Sequence, residues 1–382
     1  MTEILTLNKI AKCGTDRFDP AKYSCTDSAN DPAAVMVRSA SMHEMQFSEG
    51  LLAIARAGAG VNNIPIDRCS ERGIAVFNTP GANANAVKEL VICAALLSSR
   101  KITDAIDWCK TLKGEGENVG KLVEKGKSSF AGPEIMGKTM GIVGMGAIGK
   151  LVAEAARDLG MRVVCFDRKG ESEIRGVEAV GDIDAVFSAS DYLSLHIPCN
   201  DYTRNIINSE SIGKMKDGVR ILNFARGELV NSDDILAALA CGKVAAYATD
   251  FPTDEQLGVP GVIAIPHLGA STPESEDNCA VMAADELKDY LENGNILHSV
   301  NFPDVQAPRA AANRICVLHK NVPNMLAQIS AVVSAAGINI ASMVNKSKKD
   351  YAYTLLDVEG APAAATLDGI TGIDGVIRVR SI

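Results

Sequence analysis

The sequence predicts an α/β protein with two doubly wound parallel-sheet domains and a smaller C-terminal βαββαβ module. Three observations predict it. Short apolar strands alternate with longer amphipathic segments from residue 33 to 270. A glycine-rich turn, GMGAIG, joins one such strand directly to a helix. The tail reads strand, helix, strand, strand, weak helix, strand. The expected domains are 1–94 with 273–306, then 95–272, then 312–382.

In chain order, AAVMVRS, GLLAIARAG and GIAVFNT read as strands, with Gly or Pro marking most of the turns. Residues 90–111 read as a helix leaving the first sheet. The segment 112–137, rich in Gly, Lys and Glu, reads as a connector or dimerisation arm. TMGIVGMG, MRVVCFD, YLSLHIP, VRILNFA, AAYATDF and GVIAIPH continue the strand series. Pro273 and Gly294 frame a long helix that returns the chain to the first domain. NFPDVQAPRAA, 301–311, carries Pro303 and Pro308 with little periodicity and reads as an interdomain linker. In the tail, RICVLH, INIASMVNK, YAYTLLDVE and VIRVRSI are the strands. Asn321 is placed as a helix N-cap, Pro323 in the first turn and Gly337 at the C-terminal cap.

Composition narrows the function. The 382 residues are 47% hydrophobic and carry a formal charge of -9, which argues against general affinity for nucleic acid or an anionic membrane. Ten cysteines form no CxxC pair and have no short histidine spacing, so no metal site and no disulfide framework is expected. MTEILTLNKIAKCG lacks a continuous apolar run and LVICAALL is too short to span a bilayer, so the expected location is cytoplasmic.

Gly144, Gly146 and Gly149 follow a strand and open the helical segment AIGKLVAEAARDLG, with Ala147 and Ile148 completing the turn. Glycine allows close backbone approach, and free N–H groups at a helix start favour a pyrophosphate. The next strand ends at Asp167, placed to accept hydrogen bonds from an adenosine ribose. This is a Rossmann-type dinucleotide site, with NAD preferred over NADP because Asp167 would repel a 2′-phosphate. Arg168 beside it works in the other direction.

Three later strand ends carry polar groups: NFARGELV with Ala225 and Arg226, YATDFPTDE with Asp250 and Glu255, and AIPHLGAS with His267, Gly269 and Ala270. With GMGAIG and RAGAGVNN at 56–63, these motifs resemble the D-isomer-specific 2-hydroxyacid dehydrogenase family across almost all of residues 1–305. The resemblance implies an active site of Arg226, Glu255 and His267. A planar guanidinium suits the substrate carboxylate and 2-oxygen, histidine suits general acid–base work, and Glu255 would pair with the imidazole. It also implies cofactor contacts from Ile197, Pro198, Thr203, Ala225, Arg226, Asp250, His267, Gly269 and Ala270, with the neighbouring His196 structural.

In the first domain, Arg38 and Ser39 could hold a phosphate and the backbone N–H groups of Ala57 and Gly58 a carboxylate, with Arg56 a further substrate-binding residue at its strand end. This resembles the branch of the family that acts on 3-phosphoglycerate, so the expected substrate is a phosphorylated hydroxy acid. Ala59 stands where that turn often has threonine, and FPTDEQLG is shorter and less acidic than the usual stretch. The tail resembles an ACT domain, a small amino-acid-binding module; in bacterial members of that branch serine bound between paired copies contacts residues at the spacing of His319, Asn321 and Asn339. The resemblance implies a homodimer or homotetramer and an L-serine effector. A glyoxylate or hydroxypyruvate reductase, and an NADH-sensing corepressor-like binding protein, remain as alternatives.

Overall fold

The structure is a computed structural model that describes residues 1–168 and 174–382. It separates into two compact units, Met1–Asn83 with Pro273–Ile382, and Ala84–Thr272. The helix Ala84–Arg100 packs on the helix Ala147–Asp158, which is why the second unit begins at Ala84 and not at the sequence boundary of 95.

The first sheet is parallel, with strands β1 (Thr2–Leu7), β2 (Tyr23–Thr26), β3 (Ala34–Val37), β4 (Ala53–Arg56) and β5 (Ala75–Asn78) in the order β2-β1-β3-β4-β5. Successive side chains on a strand point to opposite faces, and here both faces are covered. Ala34 and Met36 enter a core with Cys279, Leu287 and Tyr290 of the helix Pro273–Asn293. Val35 and Val37 enter another with Met42, Leu51 and Ile64. Each fully buried aliphatic side chain of this kind is worth roughly 1.5–3 kcal/mol.

The second sheet holds β6 (Thr139–Val143), β7 (Arg162–Phe166), β8 (Val177–Ala179), β9 (Tyr192–Leu195), β10 (Val219–Asn223), β11 (Val244–Thr249) and β12 (Val262–Ala264). Its order, β12-β11-β10-β9-β6-β7-β8, is parallel throughout and reverses direction between β6 and β9. A ligand crevice opens at such a reversal, outside the carboxyl ends of the strands. The helix Ile102–Thr111 buries no residue, and neither does the helix Val119–Gly126 within the segment 112–137.

The tail sheet is antiparallel, with β13 (Asn313–Lys320), β14 (Asn339–Lys348), β15 (Tyr351–Glu359) and β16 (Val376–Ser381) in the order β14-β15-β13-β16. One face packs on the helices Met325–Ala335 and Ala364–Thr371 through Ile315, Val317, Ile329 and Ile370. The other face does not stand alone: Cys316, Leu318, Tyr353 and Leu355 join the core that holds Phe77, Tyr290 and Phe302. The module therefore shares a core with the first sheet.

Three arginines fasten it there. Arg314, fully buried, binds both Asp357 oxygens at 2.6 and 2.9 Å and the carbonyls of Asn293, Ala307 and Pro308. Arg380 stacks 4.1 Å over Tyr290 and donates to the Tyr290 and Leu291 carbonyls. Arg378 donates to the carbonyls of Leu51 and Arg72 at 2.8 and 3.1 Å.

Two local expectations are corrected. The stretch read as a linker begins inside the core: Asn301 bonds Val76 N–H, Ser70 and the Ile74 carbonyl, and Phe302 and Val305 are fully buried. Asn321 does not cap the tail helix, which starts at Met325 behind Asn324 in the left-handed region; Asn321 instead donates to the Lys349 carbonyl at 3.1 Å.

Candidate active site

In the second unit the glycine turn does what its spacing requires. Gly144 has φ +98, and a Cβ there would lie 2.5 Å from the His196 carbonyl, across the reversal between β6 and β9. A Cβ on Gly149 would lie 2.0 Å from the Gly144 carbonyl, so only glycine lets the helix start so close to the strand. Gly146, directly before that helix, faces open space. Asp167 accepts the Met145 N–H at 2.8 Å and so braces the turn from the neighbouring strand end. A cavity of about 840 Å³ lies over these residues, lined also by Lys150, Arg168, Ile197, Pro198 and Thr203. The Thr203 hydroxyl donates to the Pro198 carbonyl at 2.7 Å, which fixes that loop.

His196 also lines this cavity, with Nε2 2.8 Å from the Ser194 hydroxyl. Burial drives its pKa from 6.5 down to about 4. Between those values the unfolded chain binds the extra proton, so the stabilisation is complete above pH 6.5 and is lost as pH falls toward 4. The amount is roughly 3 kcal/mol. His196→Gln should flatten that part of the pH dependence, read as denaturant midpoints at pH 7 and pH 5; an unchanged slope would exclude His196 as its source.

The carboxyl ends of the adjacent strands β10, β11 and β12 bring Arg226, Asp250 and His267 into one group. Asn223, at the end of β10, accepts the Ala225 N–H and donates to the Arg226 carbonyl, leaving the guanidinium at an exposed position. Asp250 is buried, and its Oδ2 lies 4.0 Å from His267 Nδ1. Burial raises the Asp250 pKa, while the charges of His267 and Arg226 oppose the rise. The imidazole stands edge-on to Phe251 with ring centres 4.5 Å apart. Gly269 packs on Val87 and has Asp250 within 4 Å of its Cβ direction, so it keeps the buried carboxylate approachable.

Glu255 is not beside the imidazole. It sits, exposed, on the turn Asp254–Gln256, where its own backbone N–H and the Thr253 hydroxyl hold its carboxyl below the usual range. A reciprocal pair of bonds between Thr253 and Gln256 fixes that turn. The carboxylate that faces His267 is Asp250.

A dinucleotide fits this chemistry on two counts. The space above Gly146 is open, and Asp250 Oδ1 is buried without a hydrogen-bond partner. A buried acceptor of that kind calls for a donor such as a carboxamide N–H. Among the described residues no group of His, Cys, Asp and Glu could hold a metal ion.

In the first unit, Arg38, Ser39, Arg56, Ala57 and Gly58 lie at the ends of β3 and β4. Arg56 Nε donates to the Arg38 carbonyl at 3.0 Å, and its guanidinium passes under Gly58, where a Cβ would lie 2.4 Å from Nη1. The expected carboxylate donors are already engaged: Ala57 N–H bonds the Val37 carbonyl and Gly58 N–H the Arg56 carbonyl, each at 2.8 Å. Asn8, absent from the sequence reading, accepts the N–H groups of Ser39 and Ala40 and shapes the turn beside Arg38. Its backbone lies in the left-handed region, which asparagine tolerates, and that was the available signal.

The tail residues are not gathered in one chain. His319 is buried, with its ring nitrogens 2.8 Å from the Lys320 carbonyl and 2.9 Å from the Thr354 hydroxyl. Asn321 follows the same strand end, whereas Asn339 pairs with Glu359 at the far end of β15.

Residues 92–269 match the family model described as D-isomer specific 2-hydroxyacid dehydrogenase, NAD binding domain. The chain is 32% identical over 345 residues to D-3-phosphoglycerate dehydrogenase of Haemophilus influenzae, covering 86% of this chain and 81% of that one. It is 39% identical over 253 residues to a hydroxypyruvate reductase of Thermotoga maritima, covering 64% and 78%. Among solved structures, NAD+-bound 3-phosphoglycerate dehydrogenase of Entamoeba histolytica is similar, with TM-score 0.63, 27% identity and 78% and 98% coverage.

Proposed function

The chain belongs to the D-isomer specific 2-hydroxyacid dehydrogenase family as an NAD-dependent enzyme, and on that premise we propose that it oxidises 3-phospho-D-glycerate to 3-phosphooxypyruvate. The observation that carries the reading is the group Arg226, Asp250 and His267 on three adjacent strand ends of the dinucleotide-binding sheet. NAD, when bound, accepts or returns a hydride at its nicotinamide. The protein's own residues do the rest. Arg226 presents a planar fork for the substrate carboxylate and 2-oxygen. His267 takes the hydroxyl proton during oxidation and gives one to the carbonyl oxygen during reduction. Asp250, at 4.0 Å, orients the ring and offsets the positive charge the ring gains with the proton. That distance is too long for a hydrogen bond, and such contacts tighten when substrate binds.

Arg38, Ser39 and Arg56 form the anion-holding part of the first unit, with Arg38 and Ser39 taking the phosphate. Since Ala57 and Gly58 have spent their N–H groups, the carboxylate would turn to other donors. For regulation, L-serine would bind between tail modules paired in a homodimer or homotetramer. Pairing could bring Asn321 of one copy toward Asn339 of another, with His319 bracing the strand.

The identity to a hydroxypyruvate reductase favours a second reading, in which the substrate has no phosphate. NADH oxidation measured with 3-phosphooxypyruvate, hydroxypyruvate and glyoxylate, with and without millimolar L-serine, separates the two. The expected order places the phosphorylated acid first. A faster rate with hydroxypyruvate would overturn the phosphoglycerate reading, and an unchanged rate with serine would remove the effector.

A further inference from the structure

Arg38 is already partnered. Its Nη2 lies 2.7 Å from Oε1 of Glu276, which stands in the first turn of the helix Pro273–Asn293. The two side chains are 39% and 42% exposed, so a ligand can reach both. A helix start favours a carboxylate, because its first N–H groups carry partial positive charge. The Arg38 carbonyl is meanwhile held by Arg56 Nε, so the strand end beneath the pair is fixed.

Resting on the reading of Arg38 as the holder of the substrate's phosphate, we propose that Glu276 is a positioning residue that sets specificity, holding Arg38 without substrate and yielding it to a phosphate. An exposed ion pair of this kind contributes little to stability. A phosphate dianion offers the guanidinium two parallel charge-assisted hydrogen bonds and so wins the arginine. The released Glu276 carboxylate then stays beside the dianion and repels it. A neutral hydroxyl at the same place neither displaces Glu276 nor suffers that repulsion. Glu276 therefore narrows the preference between phosphorylated and unphosphorylated acids without touching the reacting carbon.

The test compares wild type, Glu276→Gln and Glu276→Asp by steady-state kinetics with 3-phosphooxypyruvate and hydroxypyruvate. Glu276→Gln should lower KM for the phosphorylated acid roughly tenfold, with kcat unchanged and hydroxypyruvate unaffected. Glu276→Asp, which keeps the charge, should stay near wild type, and the Gln effect should shrink in an Arg38→Ala background, where only the direct repulsion is left. If the Gln variant is unstable, Glu276→Ser repeats the measurement with a residue that helix starts tolerate. No change in KM, or an equal change for both acids, overturns the proposal. The phosphoglycerate reading fails separately, if wild type itself prefers hydroxypyruvate.

Discussion

His267→Asn lowers turnover by roughly 10²–10⁴-fold and leaves NADH affinity essentially unchanged. Asparagine keeps a polar group of similar reach but cannot carry a proton near neutral pH, so only the acid–base step is removed. The cofactor cavity is built from the glycine turn and the 196–203 loop, neither of which depends on the imidazole. Kinetics beside an NADH fluorescence titration check this, and an equal loss of both would make His267 a turn residue. The same assays decide its partner. Asp250 faces the ring and Glu255 does not, so Asp250→Asn should depress kcat more than Glu255→Gln. The reverse order would mean that the Asp254–Gln256 turn rearranges around substrate.

Arg314→Met destabilises the first unit by about 3–5 kcal/mol, because it leaves the Asp357 carboxylate buried without its cation. Burial alone would raise the Asp357 pKa, and the bonds from Arg314 and Ala310 N–H more than offset it. With the cation gone, that balance reverses. The melting midpoint should fall by on the order of 10 °C. Arg314→Met with Asp357→Leu should recover part of the loss, but not all. The carbonyls of Asn293, Ala307 and Pro308 would still lack the guanidinium donors. An unchanged midpoint in the single variant would show that the buried pair is not needed.

The sequence made the inner strands legible because their apolar runs are continuous, as in β6 (TMGIV) and β9 (YLSL), both buried throughout. It missed β1, β2 and β8. TEILTL mixes polar with apolar residues, YSCT exposes part of an edge, and VEA is three residues with no apolar run. The misread linker shows a different limit. Asn301 stitches 301–305 to β5 through side-chain hydrogen bonds, which leave no periodic trace beside two prolines. The nearness of Arg226 and His267 was legible because strand ends converge by topology, whereas Asp250 was read only as a cofactor contact. The hold on Glu255 by its own backbone N–H and the Thr253 hydroxyl was not legible, since it rests on a local hydrogen-bonded turn.

The shared core has a consequence for how the chain is made. Strands β1 to β5 leave the ribosome first, yet Tyr290, Phe302, Cys316 and Tyr353, which cover one of their faces, come after residues 84–272. At ribosomal synthesis rates that interval is on the order of ten seconds or more. The Ala84–Thr272 unit is continuous and can close as it emerges, whereas the N-terminal strands wait with bare apolar surface. Nascent-chain pausing or chaperone capture should therefore fall on the N-terminal sheet, and a stop codon before residue 312 would harm the beginning of the protein as much as its end.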